Sequence, residues 1–460
     1  MKLTIREDSL NYAAQIIKLP AKQPVVGLDN LVKVTFQGND VLTKKDADEN
    51  ILYVFFPVES EICAPYLSHN NEYRNTTLNR DNTQKGYFED SGRVKAIKFK
   101  GVISTGYIAP VSTLDDFTIG NLKEGDEFTT IDGIDICKKY KPVRQQSTKE
   151  PGESKHNKKL KRFDKLVPNQ FRFHQDTSQL AKNLHLFNPE DIIVITDKWH
   201  GTSAVFANVQ VKAELNWKER LARLFWYIIT GDKLGEATKY DNLYSSRSVI
   251  KNQYINKEQG GGYYGEDIWA VVNKELDGKI EPGISLYGEI VGFTPGGKAV
   301  QKGYDYGCNS PEFSFKTQQV GVNEIQPAHK FLVYRITYTK SDGNTIEFSW
   351  NQIREYCAKY SIETVKELWF GNILLYLPML DSEETDESYR LRLFKSLQED
   401  YLEKDCPYNK PKTPAEGIVV RIDGKSTYSA YKLKSKRFLE GESKALDKGE
   451  VGIEEEVENG

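Results

Sequence analysis

The stretch "VITDKWHGTSAVF", residues 194 to 206, places a lysine, a histidine and a glycine between two apolar segments. Strand-like sequence on both sides predicts a β-hairpin with Lys198 at its turn. A lysine there is either an ordinary solvated turn residue or a nucleophile, because an amine desolvated or set beside other cations loses its proton more easily. Further along come, in order, "SSR" with Arg247, "LYGEIVGF" with Glu289, "FLVYRI" with Tyr334, "AEGIVVRI" with Glu416 and "YKLK" with Lys432 and Lys434. Each fragment alone is weak. Their ordered succession, each on or beside an expected strand, is not. Cations gathered around a phosphorus centre with an acid to hold a metal are what phosphoryl transfer requires, since that chemistry rests on positioning and charge neutralisation.

The elements that must position these residues follow from the hydrophobic pattern. Residues 1–137 read as short strands broken by turn signals, among them "NLVKVTFQG", "NILYVFFPVE" and "GRVKAIKFKGVIST". That spacing suggests a small barrel or sandwich. In "RVKAIKFKG", Lys98 and Lys100 alternate with Ile97 and Phe99, giving an apolar face and a basic one. Lys95, Lys98 and Lys100 are the candidate nucleic-acid contacts of this module. Residues 138–170 form a linker, and from Lys138 to Lys165 it carries eleven Lys or Arg against three acids. Such a run either lies along a polyanion or is a solvated hinge. Residues 171–440 alternate strands with helices. Two segments there have helical stripes, Trp217, Leu221, Leu224, Phe225 and Ile228 in one, Leu393, Phe394, Leu397 and Tyr401 in the other, both expected to pack into a core. Residues 441–460 are an acidic tail. The expected fold class is α+β, an N-terminal small OB-like β-barrel followed by a domain of antiparallel sheets flanked by helices.

Composition narrows the class further. The chain has 460 residues, 38% hydrophobic and 28% charged, with a formal net charge of −3. This is enough for two or three domains with cores. No run of about 18 apolar residues exists, and the opening MKLTIREDSL lacks a secretory h-region. A cytoplasmic protein with no membrane partner is expected. Five widely spaced cysteines show no C-x-x-C pair, so reduced, buried thiols are expected rather than disulfides or zinc. The glycine-rich "EQGGGYYGED" and "TPGGKAV" do not satisfy the phosphate-loop pattern.

The motif order resembles the covalent lysine nucleotidyltransferases, the superfamily of polynucleotide ligases and capping enzymes. Within it "DKWHGTS", with histidine where aspartate is usual, is similar to the ATP-dependent RNA ligases, and the N-terminal β module is similar to the branch that carries an N-terminal OB domain. The resemblance covers about residues 170 to 440. It implies that Lys198 attacks ATP to form lysyl-AMP, that AMP moves to an RNA 5′-phosphate, and that a 3′-hydroxyl displaces it. It further implies Lys432 and Lys434 on the α-phosphate, Glu416 at Mg²⁺ or Mn²⁺, Glu289 on the ribose, Tyr334 stacked on adenine and Arg247 on a phosphate or ribose. Gly201 allows close backbone approach beside the adenylate, while His200 either orients the leaving pyrophosphate or bonds within the turn. The expected substrate is RNA with 5′-phosphate and 3′-hydroxyl ends, including a nicked duplex, handled by a monomer. A DNA ligase, a GTP-using guanylyltransferase and a non-catalytic nucleic-acid-binding relative are the alternatives.

Overall fold

The computed structural model describes residues 1–118, 120–141, 165–232, 234–251, 267–311, 327–381 and 383–449. Most of the basic linker, most of "EQGGGYYGED" and the last residues of the acidic tail lie outside the described residues.

In the N-terminal region the organising strand is the apolar run "LYVFFP". Strands β1 (Ala14–Lys18), β2 (Leu31–Phe36), β3 (Asn39–Lys44), β4 (Leu52–Pro57), β5 (Ser60–Ile62), β6 (Gly106–Pro110) and β7 (Cys137–Lys139) are joined by a short helix, α1 (Ala64–His69). β4 lies between β1 and β6 in a four-stranded antiparallel sheet completed by Glu127–Phe128. Side chains alternate across a strand, so Val54 and Phe56 enter one core with Ile16, Tyr66 and Phe128. Tyr53 and Phe55 enter a second with Ile17, Val34 and Val41. Burial on both faces explains why this strand is apolar throughout. The remaining strands form separate small sheets, so among the described residues no closed barrel forms.

The "RVKAIKFKG" segment departs from expectation. Ile97–Phe99 pairs with Val102–Ser104 in a tight hairpin, turned by Lys100 (φ +45°) and Gly101 (φ +87°). Lys100 therefore sits in a turn, and Ile97, Lys98 and Phe99 are all exposed. The strand is too short for its alternation to bury a face.

The rest of the chain builds two mainly antiparallel sheets, with short parallel additions at Ser178–Gln179 and Glu363–Thr364. β8 (Ile192–Lys198), β13 (Glu367–Asn372), β14 (Gly417–Ile422) and β15 (Ala430–Lys434) belong to a five-stranded sheet in the order Ser178–Gln179, β15, β14, β8, β13. The other sheet runs β10 (Thr238–Ser245), β9 (Thr202–Lys212), β11 (Ile284–Gly292), β12 (His329–Thr339), then Thr345–Glu347. β8 and β9 thus lie in different sheets. The lysine does not sit on a hairpin, as the sequence suggested; Trp199–Gly201 carries the chain from one sheet to the other.

Alternation along β8 explains the layering. Val194 faces the core between the sheets, with Phe206, Ile290, Phe331 and Trp350. Ile193 and Ile195 face the opposite way, toward α5 (Asp386–Tyr401), which contributes Leu393, Phe394 and Leu397. That expected stripe is core, with Tyr401 packed at its margin. The other, on α2 (Trp217–Thr230), buries nothing. Two more helices, α3 (Ile268–Glu275) and α4 (Trp350–Tyr360), close the first core. The last, α6 (Lys436–Asp447), follows β15 directly and runs across residue 440, where expectation placed the end of the domain, into the expected tail. All five cysteines are free and buried, as expected of reduced thiols.

α6 ties the N-terminal region to the sheets. Arg93 donates to the Ser443 carbonyl at 2.9 Å and pairs with Asp447 at 3.0 Å. Lys95 pairs with Asp447 at 2.8 Å, and Leu439 packs with Val58, Ala96 and Ile103.

Candidate active site

Strand register brings the sequence-predicted cations together. Lys198 at the end of β8 lies opposite Gly417 on β14, which lies opposite Lys434 on β15; Lys432 lies opposite Val419. Glu416 immediately precedes β14. Lys198 Nζ therefore reaches Glu416 Oε1 at 2.7 Å, and Lys434 Nζ approaches the same oxygen at 3.8 Å. Lys198 is thus not a solvated turn lysine: it is paired with a buried carboxylate.

Glu416 is only 4% exposed. Among the described residues nothing donates a hydrogen bond to its Oε2, and His200 Nδ1 stands 3.9 Å away. A buried carboxylate oxygen with spare acceptor capacity suits a divalent cation, and Mg²⁺ typically takes one or two protein carboxylates plus substrate phosphates. Among the described residues no three His, Cys, Asp or Glu side chains form a metal cage.

The two paired lysines differ in electrostatics although they are two residues apart. Burial, with Lys434 nearby, pushes Lys432 down to about 8. Burial also pulls on Lys434, but Glu442, Glu59 and Glu416 outweigh it and hold this ammonium well above its ordinary value. Two of those acids were invisible to sequence reasoning. Glu59, from the turn after β4, pairs with Lys434 at 2.9 Å, and Glu442 of α6 stands at 3.5 Å.

Two connected clefts meet at Lys198, Arg247 and Lys432. The first, of about 830 Å³, is lined by Glu289, Tyr334, Trp199, Trp350, Val419 and Tyr428, among others. Glu289 is carried on β11 opposite Ser203, and Tyr334 on β12 donates to or accepts from His174 Nδ1 at 2.7 Å. Arg247 is paired with Asp176, whose carboxyl lies below its usual range because Arg247 and His174 outweigh its burial. The second, wider cleft separates the N-terminal region from the sheets. It holds His200, Glu416 and Lys434, with Tyr12, Glu59 and Lys139 from the N-terminal side. The His200 ring packs edge-on against Tyr304 and Phe438, and its backbone N–H donates to Tyr306 Oη at 2.7 Å.

Next to Lys198 the Trp199 ring is sandwiched, 4.8 Å from Tyr408 and 4.5 Å from Tyr306. This fixes the crossover between sheets. Arg335, next to Tyr334, is structural. It pairs with Glu347 and lies between the Tyr287 and Tyr428 rings at 4.5 and 4.4 Å.

Gly201 has no room for a side chain. A Cβ there would stand 2.4 Å from the Ile290 carbonyl oxygen and 2.8 Å from Glu289 Cγ. Gly201→Ala must force β9 from β11 beside Glu289 and Lys198. A displacement near 1 Å at reacting groups costs on the order of a hundredfold in rate. Covalent nucleotide attachment, followed by intact mass, is expected to slow by about that factor while circular dichroism stays native.

Of the proposed nucleic-acid contacts, Lys98 and Lys100 are exposed on the hairpin. Lys95 is largely covered, paired with Glu89 at 2.6 Å and with Asp447.

The RNA ligase family model matches residues 191–435, more than half of the chain, from β8 through the paired lysines of β15. The chain belongs to the RNA ligase family. It resembles, over most of its length, solved structures of an RNA ligase from Naegleria gruberi. One, without ligand, is 13% identical with a TM-score of 0.52, covering 95% of this chain and 100% of that one. Another, with AMP and manganese, is 13% identical with a TM-score of 0.51, covering 93% and 98%. A third, with ATP and manganese, is 14% identical, TM-score 0.51, with the same coverage. At such identity the likeness is one of fold. No curated protein matches the sequence.

Proposed function

We propose that this RNA ligase uses ATP to join RNA 5′-phosphate and 3′-hydroxyl ends through a lysyl-AMP intermediate on Lys198. The observation that carries the reading is the meeting of Lys198, Glu416 and Lys434 around one carboxylate oxygen, within the segment matched to the family. The ATP and AMP in the Naegleria structures support the choice of nucleotide.

In the first step Lys198 Nζ attacks the α-phosphorus; an N–P bond forms and the bond to pyrophosphate breaks. Glu289 and Tyr334 hold the nucleoside in the first cleft. Lys432, Lys434 and Arg247 stand where the two clefts join and neutralise phosphate charge. Glu416 is the residue for the divalent cation, which when bound favours the neutral amine of Lys198 and offsets phosphate charge. His200 lines the wider cleft on the Lys434 side, the side from which pyrophosphate departs, and Gly201 lets the backbone approach. In the later steps AMP passes to the RNA 5′-phosphate and is then displaced by the 3′-hydroxyl.

The N-terminal region, with Lys98 and Lys100 on an exposed hairpin, serves in this reading as an OB-like module for RNA, with a nicked duplex among its substrates. The test is sealing of a labelled 5′-phosphate strand with ATP and Mg²⁺ across nicks whose 3′-hydroxyl side is RNA or DNA. RNA-dependent sealing supports the proposal. Equal sealing of all-DNA nicks makes it a DNA ligase, and a GMP adduct in place of AMP makes it a guanylyltransferase.

A further inference from the structure

Helix α2 does nothing for the active site, yet it is strongly specified. It is an insertion between β9 and β10, which pair back to Lys212 opposite Thr238. Lys212 is the far end of β9 from Gly201, roughly 35 Å along the strand, so the insertion that carries the helix leaves the sheet at the end remote from the catalytic crossover. Asn216 and Glu219 form a reciprocal capping box at its start, and Gly231, with φ +73°, caps its end. Arg220 donates to the Leu215 carbonyl and Arg223 to the Gly235 carbonyl, both within the insertion.

A fourteen-residue helix that buries nothing is marginal in water, because helices in proteins draw most of their stability from packing an apolar face. The apolar face of α2 is large. Trp217, Leu221, Leu224, Phe225 and Ile228 share one side and are between 45% and 70% exposed, and Ile229 beside them is 80% exposed. Exposed apolar patches of this size mark interaction surfaces.

Two observations decide what covers it. The run Leu224–Ile229 is six apolar residues long and occupies every side of the last helical turns, with Trp226 and Tyr227 exposed opposite the main stripe. A protein groove or a paired helix covers one stripe, whereas an acyl-headgroup boundary surrounds the inserted end and accepts Trp and Tyr at its margin. The polar residues of the helix also complement an anionic surface. Lys218, Arg220 and Arg223 face one acid, Glu219, whose carboxylate is engaged by the Asn216 backbone N–H.

We propose that α2 is an interfacial anchor that docks this ligase on anionic lipid surfaces. Among the described residues no helix is long and apolar enough to cross a membrane; α2 lies on one. The cleft, at the other end of β9, stays open to RNA.

The full chain is floated with vesicles of phosphatidylcholine containing about 30% phosphatidylserine, and with phosphatidylcholine alone. The unsubstituted chain is expected to co-float with the anionic vesicles at least about tenfold more than the Phe225→Asp/Ile228→Asp variant. Lys218→Glu/Arg220→Glu is expected to lose the preference for phosphatidylserine. Nucleotide attachment to Lys198 is expected to proceed in both variants as in the unsubstituted chain, which shows that they are folded. Absence of co-flotation by the unsubstituted chain overturns the proposal, as does co-flotation indifferent to the Asp substitutions. A concentration-dependent dimer without vesicles, abolished by the same Asp substitutions, gives the face to a second copy and also overturns it.

Discussion

Lys198→Ala protein incubated with ATP and Mg²⁺ is expected to gain no mass, while the unsubstituted chain should gain one AMP and lose it again when pyrophosphate is added. The expected loss is complete because the covalent route has no other nucleophile in the same place. Lys432 and Lys434 are the neighbouring amines, two strands over with β14 between, and neither can substitute. Lys434 is held protonated by Glu59, Glu442 and Glu416, and an ammonium has no lone pair to offer. Lys432 stands opposite Val419 rather than opposite Gly417, a step removed from the carboxylate that Lys198 reaches. Lys198→Arg is expected to fail equally, since a guanidinium stays protonated at any working pH. RNA supplied already adenylated at its 5′ end should still be joined by the Ala variant, because the lysine acts before that point. An AMP adduct on the Ala variant, read by intact mass, would refute the assignment.

Much of this site was legible because strands convert short motifs into geometry. Lys432 and Lys434 share a face by period two, and the run "EGIVVRI" sets Glu416 beside a strand whose partners carry the other lysines. The same period could have found Arg421, two residues beyond Val419, which lines the first cleft with it. The nucleophile's surroundings were misread in one respect. Two adjacent apolar segments joined by three residues read as a hairpin, but β8 and β9 each pair with strands from far along the chain, and local sequence holds no record of that choice. Glu59, Asp176 and Glu442 were not legible at all. Each sits outside any motif, and each matters only because packing brings it to a lysine or an arginine. The α2 stripe failed for a different reason. Periodicity reports that a helix has an apolar face, and it is silent about whether the protein itself covers that face.

Lys432 is expected to set the alkaline limit of the first step. Below about pH 8 its ammonium is present, and above that value the free protein carries a neutral amine, because burial and Lys434 have pushed its titration down to about 8. A depressed lysine loses its charge as pH rises, so the affinity of the cleft for the nucleotide phosphates falls in that direction. The ratio kcat/KM for ATP reports groups of the free enzyme, and its profile is expected to decline above about pH 8. Lys432→Arg keeps a cation at all these pH values, so its profile should lose that decline even if its rate is lower throughout. Lys432→Ala removes a phosphate contact made in a dry site and should lower kcat/KM by about 10²–10³-fold, again without the decline. Lys434 cannot produce the same limb, since three carboxylates keep it charged well past this range. An unchanged decline in Lys432→Arg would move the limit to another group and remove Lys432 from the phosphate site.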